Sequence, residues 1–180
     1  MRSSYFSTDI QEFLHLLSKH RVKYLIVGGE AVIYYGYARL TGDIDIFYET
    51  IQENAEKLFD ALNEFWGNQI PGLKNTEELM EPGLIIQFGV PPNRIDLINR
   101  IENVIFQDAW KNKVDETISS DERGIPIYFI GIEQLILNKA SLNRPKDLED
   151  LKYLIKKVED DKSAKIEASG KEGKYKRQDQ

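Results

Sequence analysis

Asp43-Ile44-Asp45 sets two carboxylates one residue apart in a segment that otherwise reads as a buried strand. Alternate residues of a strand point to one face, so Asp43 and Asp45 project together, roughly 6–7 Å apart along the backbone. Two ionised carboxylates at that separation repel each other and raise each other's pKa unless a cation stands with them. A hard divalent ion, Mg²⁺ or Mn²⁺, takes carboxylate oxygens as its preferred protein ligands. Alone the pair is a weak signal, because an isolated Asp-x-Asp more often marks a solvated strand face. Arg94-Ile95-Asp96-Leu97-Ile98 adds a second apolar strand with an aspartate at its centre. With the two strands side by side, Asp43, Asp45 and Asp96 make a cluster able to hold two metal ions about 3.5–4 Å apart, as in phosphoryl-type displacement.

Gly28-Gly29 follows the apolar run Tyr24-Leu25-Ile26-Val27 and opens a helical segment. Glycine lets the backbone approach a ligand closely, and amides at a helix start attract anionic oxygens, so a triphosphate would fit there. Taken alone, the glycines are equally an ordinary tight turn. Arg39 and Thr41 lie just upstream of the aspartate strand. They read either as phosphate or loop-positioning contacts, or as a surface arginine and a helix–strand connector. Lys139 lies among Leu135, Ile136, Leu137 and Leu142, where a solvated polar face is the plain alternative to a binding role, and the same holds for Arg144. Asp147 and Asp150 read as braces of the last helix through nearby lysines. His15 and His20 belong to the first helix and its end and take no part in catalysis. Tyr34, Tyr35 and Tyr37 read as packing of the core and its rim, with stacking of one of them on a base as the alternative.

These residues need a scaffold, and its elements follow from periodicity. Thr8 with Gln11 forms a capping box opening a helix on Ile10, Phe13, Leu14, Leu16 and Leu17, which ends near His20. A buried strand spans 24–27, a helix 30–37, a strand 43–48 and a helix 51–65. Residues 66–82 form a long loop with one short helix. Strands at 84–90 and 94–98 are joined across Pro91-Pro92-Asn93. A helix at 104–110, a strand at 125–130 and a helix at 132–142 follow. The last helix starts at Pro145, a residue suited to the first turn, and runs to about Val158. The fold class is α/β (α+β), a mixed sheet flanked by helices with two helices at the C-terminal end. Residues 1–158 form the domain. Residues 159–180 carry almost nothing apolar and read as a disordered charged tail.

Composition narrows the function classes. The 180 residues suit one core, with 41% hydrophobic content. A net charge of −6 and a pI near 5.1 argue against a broad polynucleotide surface. Lys139, Arg144, Lys146, Lys152, Lys156 and Lys157 still gather towards the C-terminus, where a local groove could form. With no cysteine, the chain has neither disulfides nor thiolate chemistry. No run approaches membrane-spanning length. A cytoplasmic protein that does not meet a membrane is expected.

Gly28-Gly29, Asp43-Ile44-Asp45 and Asp96, in this order, resemble the signature of the DNA polymerase β-like nucleotidyltransferase superfamily. The stretches Gly29-Glu30-Ala31-Val32 and Gly36-Tyr37-Ala38-Arg39-Leu40-Thr41-Gly42-Asp43 look like its compact bacterial branch, which is similar to nucleotidyltransferase toxins of the AbiEii type. Asn138-Lys139-Ala140, Arg144-Pro145-Lys146-Asp147 and Asp150-Leu151 resemble the closing motif of that group, and the likeness spans roughly Val22 to Leu154. The resemblance implies a nucleotidyltransferase fold, a nucleoside triphosphate substrate and Mg²⁺ or Mn²⁺. It also implies that Asp43 and Asp45 hold both ions and Asp96 the one that activates an acceptor hydroxyl. Gly28, Gly29, Arg39, Thr41, Lys139 and Arg144 would face the nucleotide. Gly29 stands where many members carry a serine, so backbone amides would replace a hydroxyl at the phosphates. The acceptor stays open between a tRNA or other RNA end, a protein hydroxyl and a small molecule. The alternatives to an enzyme are an inactive nucleotide-binding protein or toxin–antitoxin partner of the same fold, and a plain metal-binding scaffold in a complex.

Overall fold

The structure, a computed structural model, describes residues 1, 5–119 and 124–175, with backbone alone from 167 onward. Helix α1 (Thr8–Lys19) leads into β1 (Tyr24–Val27), α2 (Gly28–Tyr34), β2 (Asp43–Tyr48) and α3 (Gln52–Phe65). A 3₁₀ turn at Glu77–Met80 interrupts the long loop before β3 (Ile85–Phe88) and β4 (Arg94–Ile98). Then come α4 (Phe106–Lys111), β5 (Val114–Ile118), β6 (Ile125–Phe129), α5 (Ile132–Ser141) and α6 (Pro145–Tyr175).

Among the described residues, six strands make one mixed sheet in the order β3-β4-β2-β1-β6-β5. β2 runs parallel to β4 and β1 parallel to β6, while β1–β2, β3–β4 and β5–β6 are antiparallel. The central strands carry the core. All four residues of β1 are buried, and Ile44, Ile46, Ile95 and Leu97 fill the space beneath β2 and β4. α1 packs on α3, α2 on β1 and β2, and α5 on α6. The rings of Tyr34, Tyr35 and Tyr37 are absorbed by the fold. Tyr34 stacks on Phe129, Tyr35 donates its hydroxyl to the Ile130 carbonyl at 2.7 Å, and Tyr37 stacks on Tyr153.

Three local expectations change. The cap of α1 is Ser7 rather than Thr8. Ser7 Oγ accepts from the Ile10 amide at 3.4 Å, and Gln11 donates to the Phe6 carbonyl at 2.8 Å. β5 has no counterpart in the sequence reading. It is an edge strand whose Asp115 and Thr117 are exposed, so no continuous apolar run marks it. α6 runs on past Val158 to Tyr175. The extension is exposed from Glu159 to Ile166 and carries local ties such as Lys157–Asp161 at 3.1 Å. Residues 176–180 of the expected tail lie outside the described residues. Among the described residues, no helix is long and apolar enough to cross a membrane.

Candidate active site

The parallel pairing of β2 and β4 sets Asp45 opposite Asp96 and Asp43 opposite Arg94. Because strand side chains alternate, these four residues share one face while Ile44, Ile46, Ile95 and Leu97 point into the core. The polar face opens on a cavity of about 430 Å³, whose wall includes Gly28, Gly29, Asp43, Asp45, Asp96 and Lys139. Arg39, Arg94, Arg100, Arg144 and Lys146 line it too, so carboxylates and cations meet in one space.

Asp43 and Asp96 share a cation from their own chain. Arg94 Nε donates to Asp96 Oδ1 at 2.8 Å and Nη2 to Asp96 Oδ2 at 3.0 Å. The same Nη2 also bonds Asp43 Oδ2. Gln87, opposite Asp96 on β3, donates to Asp96 Oδ2 at 2.9 Å, and Thr41 Oγ1 donates to Asp43 Oδ1 at 2.8 Å. Asp45 has no such cation. Burial pushes its carboxyl up to about 6, the charges on Asp43 and Asp96 push the same way, and Lys139 with the Gly29 amide only partly opposes them. Glu30, in the first turn of α2, adds a fourth carboxyl nearby. Burial raises it most, its bond from the Tyr5 hydroxyl works the other way, and Asp43 and Asp45 raise it further.

The donor chemistry suits Mg²⁺ or Mn²⁺: three hard carboxylates converge on one cavity, and the charge on Asp45 is only partly offset by Lys139 and the Gly29 amide. Among the described residues, no three acidic or histidine side chains are gathered tightly enough to hold an ion as they stand. The Arg94 guanidinium bridges two of the three instead.

The glycine turn serves Asp45 directly. Gly28 has φ +60°, and a Cβ there would fall 1.8 Å from Asp45 Oδ2. The Gly29 amide hydrogen-bonds to Asp45, and a Cβ on Gly29 would meet Thr41 Oγ1 at 2.7 Å and Arg39 at 3.1 Å. The sequence suggests a phosphate-binding helix start here. In the structure α2 has only seven residues, and the Gly29 amide already has Asp45 as its partner.

Behind the turn lies a buried ion network. Lys139 is 3% exposed and bonds Asp147 at 2.7 Å and Asp150 at 2.8 Å, both aspartates being almost fully buried. Arg39 reaches Asp150 at 2.6 Å, and Arg144 bonds Asp147 from the surface. Burial works against the charge on Asp147, but the bonds from Arg144 and Lys139 outweigh it and hold the carboxyl below its ordinary range. Lys139 therefore sits on no solvated face. Asp147 and Asp150 brace α6 as expected, through Lys139 of α5 and Arg39 of the loop before β2. This ties the C-terminal helix to α5 and to the loop before β2.

Arg94 and Gln87 are the site residues that sequence reasoning missed. One signal was present, since Arg94 stands two residues before Asp96 and so shares its face. No curated protein matches the chain. Residues 7–178 match the family described as "Nucleotidyltransferase of unknown function (DUF6036)", and the chain belongs to that family as a nucleotidyltransferase.

Proposed function

We propose that the protein transfers a nucleoside monophosphate from a nucleoside triphosphate to a hydroxyl of an acceptor in a reaction that depends on Mg²⁺ or Mn²⁺. The observation that carries this reading is the β2–β4 register, with Asp43, Asp45 and Asp96 on one face of the sheet at a cavity also lined by Lys139 and Arg144. The acceptor oxygen forms a bond to the α-phosphorus, the bond from that phosphorus to the oxygen bridging to the β-phosphate breaks, and pyrophosphate leaves. Bound at Asp43, Asp45 and Asp96, divalent ions would neutralise triphosphate charge and lower the pKa of the attacking hydroxyl. Asp96 accepts the proton from that hydroxyl. Thr41 fixes the Asp43 carboxylate, and Gly28 leaves room for Asp45 at the turn. Arg39, Lys139 and Arg144 line the cavity on the triphosphate side, where Asp147 and Asp150 offset only part of their positive charge.

The test uses each nucleoside triphosphate labelled at the α- or the γ-phosphate, with Mg²⁺ or Mn²⁺ and total cell extract. Beyond what the extract transfers by itself, label should reach an acceptor from the α position alone, with γ label released in pyrophosphate, and the labelled species identifies the acceptor. Transfer from the γ position, or none from any triphosphate, would contradict the reading.

A further inference from the structure

We propose that Arg94 is a built-in counter-ion that a divalent cation must displace, so that the metal-free protein is held shut by one of its own side chains. The proposal rests on the metal-dependent reading above. One guanidinium contacts Asp43 and both oxygens of Asp96, and Gln87 takes Asp96 Oδ2 as well. A hard ion seeks the same oxygens. Guanidinium and metal therefore compete for Asp43 and Asp96.

The fork geometry of arginine suits this work, because one planar group can serve two carboxylates where an ammonium is a single point charge. Arg94 also has somewhere to go. Its side chain is 28% exposed and lines the cavity of about 430 Å³, so it can swing aside without disturbing β4. It is incomplete as a counter-ion. Asp45, opposite Asp96 across the strand pair, receives no bond from the guanidinium, whose bonds go to Asp43 and Asp96. A cation shared by all three carboxylates has an advantage that Arg94 lacks, which makes the exchange favourable once metal is supplied.

The test measures Mn²⁺ binding to the full chain without nucleotide, by the resonance signal of free Mn²⁺, alongside melting curves. Wild type, Arg94→Ala and Arg94→Lys are compared. Arg94→Ala should bind Mn²⁺ about ten- to a hundredfold more tightly, the scale of removing charge-assisted hydrogen bonds from a competitor. It should melt lower than wild type without metal, and the gap should narrow in saturating Mn²⁺. Arg94→Lys should fall between the two, and decides the matter if Arg94→Ala does not fold. Unchanged or weaker Mn²⁺ binding in the folded variants, with wild type binding normally, would overturn the exchange and leave the metal-dependent reading standing. No Mn²⁺ binding by any of the three would overturn both.

Discussion

Asp45 is the carboxylate of the three that no cation bonds, and its titration makes that measurable. Its folded pKa, about 6, lies above the ordinary 3.8, so the native state holds the proton more tightly than the unfolded chain. The sign follows by linkage: the stability this group gives is full below about pH 4 and is lost as pH rises through about 6. Charging Asp45 at neutral pH then costs the metal-free fold about 3 kcal/mol. Asp45→Asn should therefore melt higher than wild type at about pH 7.5 without metal and show no such gain at about pH 4. Parallel pH dependence in the two proteins would contradict the assignment. Gly28 makes a second prediction at this scale. Gly28→Ala meets both the positive φ and the Asp45 oxygen and should lose about 2 kcal/mol or more, as urea melts would measure. Gly67→Ala has φ +58° with nothing within 4 Å and should lose only about 1 kcal/mol. Equal losses would mean that the approach to Asp45 carries no weight.

Elements differed in how openly the sequence displayed them. β1, β2 and β4 are central strands, and their apolar runs stand out because both neighbours and the core demand them. The aspartates stood out for the complementary reason, as charges in runs that should hold none. β5 stayed hidden because an edge strand with a solvated face needs few apolar residues. The extension of α6 stayed hidden because hydrophobic periodicity detects only packed helices, and this part is exposed. Two side chains depended on tertiary pairing that no local pattern reveals. Arg94 reaches Asp43 across 51 positions of chain, and Lys139 is buried only because Asp147 and Asp150 of the next helix receive it. That burial yields a prediction. Lys139→Met should cost about 3 kcal/mol in urea denaturation, because it removes the one buried cation that Asp147 and Asp150 share and leaves each with a single arginine. Arg144→Ala, at a side chain 58% exposed, should cost about 1 kcal/mol or less. A Lys139→Met loss as small as that of Arg144→Ala would show that the network does not hold α6.

At the scale of the molecule, an acidic chain of net charge −6 keeps a local concentration of cations at the cavity that holds its aspartates. The part of α6 beyond Val158 lies outside this arrangement, exposed along Glu159 to Ile166. Truncation after Val158 should leave the melting temperature within about 2 °C of the full chain, since almost no apolar surface is lost. A larger fall would mean that the extension docks. The proposed nucleotidyl transfer rests on Asp43, Asp45 and Asp96 acting together, and it is tested by comparing α-label transfer by wild type, Asp45→Asn and Asp96→Asn under identical Mg²⁺ and acceptor conditions. Both variants should keep the fold by circular dichroism and lose at least about two orders of magnitude in rate, the scale of removing one group that stabilises charge in the transition state. Transfer at the wild-type rate by either folded variant would contradict the account.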